Sequence, residues 1–311
     1  MAIQKQEYKV LSTNGIHNLA GVVFLPECEP VGFFQVVHGM TEYIGRYERF
    51  MREMAERGWI CFGHDHLGHG HTVNDASELG FIAHENGYDL MQRDVGAMAN
   101  AVIEQFVPDG KKLPHVLMGH SMGSFIVRLA TANGYVKPDR LIVMGTGGPN
   151  PVAGLGLALI KVVKAVRGER HISKLLDTMA FGTYNDAWKN SGETAPNPWL
   201  TSNEEVRVRY FADPLCTFKF TVSAMGDLIT LTKEANDRKW YQKMPTDLPI
   251  LLVAGAEDPV GEFGKGVKTV HEKLIKTGHN STLRLYENAR HEILNDISYD
   301  DVVSDILEFC K

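Results

Sequence analysis

Short apolar runs alternate with amphipathic stretches along most of the chain, a rhythm that indicates a parallel β-sheet covered by helices on both faces. The apolar runs are continuous, as expected for strands buried on both sides. The predicted strands are 31–37, 59–63, 115–118, 141–144, 250–254 and 282–286, and the predicted helices are 46–57, 88–106, 124–132, 265–276 and 302–310. Two further β-like runs, between Glu7 and Leu25, flank the hairpin-type dipeptide Asn14-Gly15.

The rhythm stops in the middle of the chain. From Gly147 to about Pro245, helical stretches broken by glycine and proline replace the strand–helix units. Substrates bind beyond the carboxyl ends of parallel strands, so an insertion between the sixth and seventh strands should lie over the site. We therefore predict one catalytic domain in two segments, 1–147 and 246–311, with a helical lid at 148–245.

The first predicted helix of the lid is amphipathic. Its apolar face carries Leu155, Leu159, Val162, Val163 and Val166. The opposite face carries Lys161, Lys164 and Arg167, with Leu157 and Ile160 among them. We expect the apolar face to pack on the core or to line an acyl channel, and in the second case the basic face could touch anionic lipid surfaces.

The sharpest chemical signal is Gly119-His-Ser121-Met-Gly123, a G-x-S-x-G motif between a predicted strand and a predicted helix. In this context the serine stands on a strained turn, with its hydroxyl at the N-terminus of the helix. Gly119 and Gly123 are needed there because a Cβ at either position would collide within the turn. We predict Ser121 as a nucleophile.

A serine hydroxyl needs a base, and with this motif the acid and then the histidine follow the serine in the chain. Three histidines come late enough. His271 falls within a predicted helix and His279 within a polar turn that fits a surface loop. His291 follows the last strand by a short loop, so we assign it as the base. Of the adjacent carboxylates after strand 250–254, Asp258 is favoured over Glu257 because Pro259 would fix its loop.

The tetrahedral intermediate of such a reaction needs two backbone donors. The N–H of Met122, directly after the nucleophile, is the first, and the N–H of Met40, in the loop after strand 31–37, is predicted as the second. His38 in the same loop is expected to be buried and structural.

The segment His64-Asp-His-Leu-Gly-His-Gly-His71 contains four histidines but matches no common metal-binding spacing. We expect no metal there and a loop held by Asp65 through backbone hydrogen bonds. The reaction outlined above needs no metal and no organic cofactor.

Composition narrows the class further. The formal net charge of −6 disfavours nucleic-acid binding and strong membrane attachment. No apolar run is long enough to cross a bilayer, and residues 1–10 lack a signal pattern. Four widely spaced cysteines without a CxxC pair predict free thiols in the cytoplasm.

Taken together, these motifs resemble those of α/β-hydrolases of the monoacylglycerol lipase and bacterial lysophospholipase type. The resemblance rests on segments of the two predicted catalytic parts and of the insertion. In the catalytic parts these are 38–42, 45–47, 65–70, 119–124, 255–261 and 289–292, and in the insertion they are Trp199-Leu200 and 213–216. It covers nearly the whole chain. The chain departs from the family pattern at Tyr43, where histidine is usual, and at Leu67.

The resemblance implies an α/β-hydrolase fold, with an eight-stranded, mostly parallel sheet and the lid after strand 6. It also implies the triad Ser121, Asp258 and His291, with Met40 and Met122 as oxyanion donors. The substrate would be a small ester with an apolar acyl part, such as a monoacylglycerol or lysophospholipid, and contact with membranes would be at most weak and peripheral.

Three alternatives stay open at this stage. A short-chain or aryl esterase would use the same residues. A proline-releasing aminopeptidase shares the fold and triad, and Glu204-Glu205 of the insertion could then bind the substrate's amino group. A non-enzymatic binder on the same fold would be expected to have lost triad positions, which are all present here.

Overall fold

The computed structural model describes residues 3–108 and 110–311. Within these residues, eight strands form one sheet, and ten α-helices surround it. The strands are β1 (Gln4–Leu11), β2 (Asn18–Leu25), β3 (Gly32–Val37), β4 (Trp59–His64), β5 (His115–His120), β6 (Arg140–Met144), β7 (Ile250–Gly255) and β8 (Ser281–Tyr286). The helices are α1 (Glu48–Glu56), α2 (Gly87–Phe106), α3 (Met122–Ala132), α4 (Ala153–Arg167), α5 (Lys174–Phe181), α6 (Glu204–Ala212), α7 (Val222–Glu234), α8 (Arg238–Lys243), α9 (Lys265–Lys276) and α10 (Tyr299–Phe309).

The strand order is β1-β2-β4-β3-β5-β6-β7-β8. The hairpin strands β1 and β2 pair antiparallel, β2 also pairs antiparallel with β4, and all other neighbours run parallel. The predicted eight-stranded, mostly parallel sheet is therefore confirmed. Every residue of β3, β4, β5 and β7 is buried, as the continuous apolar runs predicted.

Two apolar cores lie on opposite faces of the sheet. One contains residues of α1 and α10, and the other contains residues of α2, α3 and α9. On α1 the buried residues are the predicted Phe50, Met51, Met54 and Ala55. The parallel strands β3, β5, β7 and β8 end at one edge of the sheet, so the loops that follow them meet there.

The helices α4 to α8 occupy the insertion between β6 and β7. Helices α7 and α8 join the larger core directly, through side chains such as Met225, Leu231 and Trp240. The indole Nε1 of Trp240 donates to the carbonyl oxygen of Arg128 on α3, at 2.8 Å. The C-terminal end of the insertion is thus packed into the main body of the molecule.

The predicted buried face of α4 is wrong in part, since Leu159 and Val163 pack against the larger core as expected but the rest of that face does not. Leu155, Val162 and Val166 are 71%, 60% and 76% exposed, whereas Ile160, which was placed among the charged residues, is only 5% exposed. Helix α4 packs on α7, where a Cβ on Gly226 would lie 3.3 Å from Ile160 Cγ2. The position of α7 decides which side of α4 is covered, and local periodicity contains no information about that position.

Candidate active site

Ser121 lies between β5 and α3 in a backbone conformation that side chains rarely adopt. Its φ and ψ are 54° and −119°, and its N–H donates to the carbonyl oxygen of Met144 at the end of β6, at 2.9 Å. A Cβ on Gly119 would overlap the carbonyl of Gly123, and one on Gly123 would overlap the carbonyl of Val37. The two glycines therefore allow a turn that points the serine away from the sheet, as the motif predicted.

The structure brings His291 and Asp258 together from the loops after β8 and β7. His291 Nδ1 lies 2.9 Å from Asp258 Oδ2, and both side chains are almost completely buried. The other carboxylate oxygen of Asp258 accepts from the Val260 N–H at 2.9 Å, which fixes its orientation. The adjacent Glu257 instead faces Arg290, with its Oε2 3.7 Å from the guanidinium Nε.

The two other late histidines lie in structural positions. His271 Nδ1 is 3.0 Å from the Ser281 hydroxyl. His279 is only 4% exposed and its Nε2 is 3.1 Å from the Met244 carbonyl oxygen. The surface-loop interpretation of His279 is therefore wrong, because the turn that contains it is covered by the end of α8.

The loop after β3 runs directly beside Ser121. A Cβ on Gly39 would lie 3.1 Å from Ser121 Cβ, so glycine is required for this approach. Met40 and Met122 line one cavity together with Ser121 and His291. The Met122 N–H belongs to the first turn of α3, where amides have no acceptor within the helix and the dipole favours negative charge. The two predicted oxyanion donors thus line the same cavity as the serine.

A buried network of charged groups lies beneath these loops, and sequence analysis gave its members no role. Glu42 Oε1 accepts from the Gly39 N–H at 2.6 Å and from the Tyr47 hydroxyl at 2.9 Å, and it lies 3.2 Å from His120 Nδ1. Glu42 Oε2 accepts from Arg46 Nη1 at 2.7 Å. The network therefore connects the loop after β3 to the histidine that directly precedes Ser121.

Arg46 extends this network to the loop that carries His291. It makes two hydrogen bonds, of 2.7 and 2.8 Å, to the carboxylate of Glu292, the residue after His291. His120 reaches the same loop, since its Nε2 is 3.2 Å from the His291 carbonyl oxygen. Glu42 and Arg46 belong to the motif segments noted in the sequence, and their place in these segments was the only available signal.

The protonation of this network follows from its contacts. Burial alone would raise the pKa of Glu42, but the hydrogen bond from His120 and the charge of Arg46 outweigh it and hold that pKa well below its usual range. Burial alone would lower the pKa of His120, but the hydrogen bond and charge of Glu42 raise it. An ionised Glu42 therefore faces a histidine that favours its cationic form.

Of the histidine-rich segment, His64, His66 and His69 are buried, whereas His71 is exposed. His38 Nε2 accepts from the His66 N–H at 3.0 Å, and Asp65 accepts from the N–H groups of Ile44 and His71 at 2.8 and 2.7 Å. Burial lowers the pKa of His38 to about 3 and that of His64 to about 4. The predicted structural roles of His38 and Asp65 are in agreement with these contacts. Within residues 3–108 and 110–311, no group of side chains is arranged to hold a metal ion.

Ser121 and His291 open onto a cavity of about 930 Å³. Residues of the insertion supply more than half of its lining, and its aromatic and aliphatic wall includes Phe125, Phe181, Tyr184, Trp199, Phe211 and Leu228. The ring of Trp199 packs against that of His291, with centroids 5.2 Å apart. The cavity walls were not predicted residue by residue, because the insertion has no regular strand–helix pattern that would place them.

Known proteins resemble the chain over its whole length. A carboxyl esterase of Bacillus coagulans, solved in complex with glycerol, superposes with a TM-score of 0.89 at 30% identity and full coverage of both chains. A monoacylglycerol lipase of Mycolicibacterium smegmatis is 25% identical over 312 residues, covering 96% of this chain and 97% of that protein. A soluble variant of the monoglyceride lipase of Saccharomyces cerevisiae, solved with a substrate analog, has a TM-score of 0.74 at 17% identity, covering 100% and 96%.

These matches confirm the α/β-hydrolase fold and the predicted resemblance to monoacylglycerol lipases. In the described part of the chain, none of the helices is long and apolar enough to cross a bilayer. A family model described as "Serine aminopeptidase, S33" matches residues 29–298. Because this match spans most of the sequence, the chain belongs to that hydrolase family.

Proposed function

We propose that the protein is a serine carboxylic-ester hydrolase that cleaves monoacylglycerol- or lysophospholipid-like esters through an acyl-enzyme. The observation that carries this proposal is the contact of 2.9 Å between His291 Nδ1 and Asp258 Oδ2 at a cavity that also exposes the strained Ser121. The carboxyl esterase and the monoacylglycerol lipases among the relatives support the ester chemistry.

In the proposed mechanism, Ser121 Oγ attacks the ester carbonyl while His291 Nε2 takes the hydroxyl proton. Asp258 holds the imidazole in orientation and stabilises its cation. The carbonyl oxygen becomes an oxyanion, which the N–H groups of Met40 and Met122 stabilise by hydrogen bonds. His291 then protonates the leaving alcohol, which departs and leaves the acyl group on Ser121. Water repeats the sequence and releases the acid.

The cavity supports a substrate with a substantial apolar acyl part. Its volume of about 930 Å³ lies near the upper end of the ~300–1,000 Å³ typical of small-molecule sites. Its aromatic and aliphatic wall suits an acyl chain, and the insertion that forms this wall would act as the predicted cap over residues 1–147 and 246–311.

The first experiment compares the protein with its Ser121→Ala variant on p-nitrophenyl esters. We expect the variant to lose turnover, with a residual rate at least about 10³-fold lower, and to lose labelling by a fluorophosphonate probe. Retention of the ester activity would remove Ser121 from its role. A panel of monoacylglycerols, lysophospholipids and short aryl esters of varied acyl length would then define the head group and the chain.

The aminopeptidase alternative gains no support from the insertion carboxylates. Glu204 Oε1 is engaged by the N–H groups of Thr194 and Ala195, and the side chain of Glu205 is 87% exposed. Neither residue lines the cavity of Ser121. We therefore expect no release of proline naphthylamide, and a rate comparable with that on esters would favour this alternative instead.

We further propose that the protein works in the cytoplasm, with at most weak peripheral contact with lipid aggregates. Its four cysteines are free thiols. The exposed side chains of Leu155, Val162 and Val166 on α4 form an apolar stripe with Lys161 and Arg167 nearby. Sedimentation with anionic vesicles tests the contact, and tight binding that persists in high salt would contradict it.

A further inference from the structure

The main chain around the proposed base is held by the insertion. The N–H of His291 donates to the Trp199 carbonyl oxygen at 3.3 Å, and the N–H of Glu292 donates to the Leu200 carbonyl oxygen at 2.7 Å. Residues 193–202 therefore contact the main chain of the loop that carries the proposed base. A segment that only covered the cavity would not need to bind these two amides.

The side chain before the base is bound by the same stretch. Arg290 Nη1 and Nη2 lie 2.9 and 2.7 Å from the two carboxylate oxygens of Glu193, a bidentate pair. Arg290 Nη1 also donates to the carbonyl oxygen of Pro198 at 2.9 Å. Arg290 is only 7% exposed, and its guanidinium stacks on the ring of Trp188 at 4.7 Å.

Glu193 is itself fixed from a second direction. Arg207, which is completely buried, places its Nη2 2.7 Å from Glu193 Oε2. The hydrogen bond from Arg290 and the charges of both arginines lower the pKa of Glu193, so this carboxyl is ionised at neutral pH. The carboxylate thus links α6 of the insertion to the loop that carries the base.

We propose that Glu193 of the insertion and Arg290 of the base loop are positioning residues for the reaction, which together set the place of the His291 imidazole. The inference rests on the proposed function, since it takes His291 as the base. The carboxylate of Asp258 is held on its own loop by the Val260 N–H, at 2.9 Å. A shift of Arg290 would therefore move the imidazole relative to its acid and to Ser121.

This role predicts a loss in kcat rather than in substrate binding. A misplacement of about 1 Å in a catalytic group can cost about 10²-fold in rate. For Arg290→Met we expect kcat to fall about 10- to 100-fold with KM changed less than about threefold. Glu193→Gln keeps the shape of the side chain and should show a smaller loss of the same kind.

The experiment uses the full chain with Glu193→Gln, Arg290→Met, Arg290→Lys and the Glu193→Gln/Arg290→Met double variant. Active sites are counted by complete reaction with a fluorophosphonate probe, and kcat is expressed per counted site so that misfolded protein does not contribute. If the two residues act as one unit, the double variant is no slower than Arg290→Met. Arg290→Lys keeps the charge and should recover part of the rate.

The matched control is Arg128→Lys. Arg128 is also completely buried and also bonds the insertion, through the carbonyl oxygen of Ala235, but it does not contact the base loop. We expect this control to lose stability with an unchanged kcat per site. If the Glu193 and Arg290 variants likewise lose only stability, the two residues are merely structural and the inference is overturned.

The failure of this inference is distinguishable from the failure of the proposed function. An active Ser121→Ala variant would refute the triad itself. An inactive Ser121→Ala variant together with a full kcat in Arg290→Met, as well as in Glu193→Gln and Arg290→Lys, would refute only the positioning role. If Arg290→Met does not fold, these two milder variants decide the question.

Discussion

Replacement of Glu42 by glutamine tests the buried network beneath the site. The amide keeps the size of the side chain and one oxygen, which can still accept from the Gly39 N–H and the Tyr47 hydroxyl. The amide nitrogen, however, must face Arg46 Nη1, a donor that lies 2.7 Å from Glu42 Oε2 in the present structure. The variant also leaves two positive partners, Arg46 and His120, without this carboxylate.

The size of the stability loss in Glu42→Gln follows from the burial of the Glu42 side chain. Glu42 is 3% exposed, so solvent screens the pair little. Removing one member of a buried ion pair typically costs about 3–5 kcal/mol, because the other charge stays buried without compensation. Arg46 keeps its two hydrogen bonds to Glu292, which favours the lower end of this range. We expect a loss of about 3 kcal/mol in the free energy of unfolding.

The contributions of Glu42 and His120 to stability depend on pH in opposite directions. The folded pKa of Glu42 is depressed, so its contribution is present above the unfolded value of about 4.3 and is lost as the pH falls through the folded pKa. The folded pKa of His120 is raised, so its contribution is present below about 6.5 and is lost as the pH rises through the folded pKa. The difference in the free energy of unfolding between the wild type and Glu42→Gln should be largest at about pH 5 to 6.5 and smaller at lower and higher pH.

Urea unfolding of the wild type and of Glu42→Gln at pH 3.5, 6 and 9 measures this difference in the free energy of unfolding. Arg93→Gln serves as a control, because its pair with Asp89 is exposed and such pairs contribute at most about 1 kcal/mol. A loss of less than about 1 kcal/mol in the free energy of unfolding at pH 6, or a difference between the two proteins that does not change with pH, would refute the reasoning.

Three further predictions concern single side chains. Asp258→Asn should lower kcat about 10⁴-fold in ester hydrolysis, and a loss below tenfold would contradict its proposed role. His64→Leu should flatten the pH dependence of the free energy of unfolding in urea. The pKa of His64 is about 6.5 in the unfolded protein and about 4 in the folded protein, so the wild type loses about 3 kcal/mol of stability as the pH falls between these values. An equal pH dependence in the two proteins would contradict this. Ile160→Ala should cost about 2–5 kcal/mol and Val166→Ala less than about 0.5 kcal/mol in thermal unfolding, and the reverse order would mean that the other face of α4 is buried.

The sheet and the placement of the serine were predictable because their signals are local. A buried strand is a continuous apolar run, and the G-x-S-x-G turn between β5 and α3 needs its glycines within five residues. The chain order of Ser121, Asp258 and His291 then limits the candidates further, because each follows a predicted strand. Such arguments need no knowledge of how the helices pack.

The features that the sequence did not predict depend on contacts between distant parts of the chain. Glu42, His120 and Glu292 are far apart in sequence, and nothing in their local patterns indicates that one network joins them. His279 was misinterpreted for the same reason, since its cover comes from Met244. The buried side of α4 likewise follows from the position of α7 rather than from its own periodicity.

The ties between the insertion and the base loop suggest where substrate range could change without damage to the chemistry. Helix α5 places Thr178, Ala180 and Phe181 in the cavity wall, whereas residues 193–202, which also reach the cavity, bind the loop that carries His291. Residues on α5 could be exchanged, in evolution or by design, to lengthen or shorten the acyl space. Under the proposed mechanism, one part of the insertion is then open to variation, and another part positions the base.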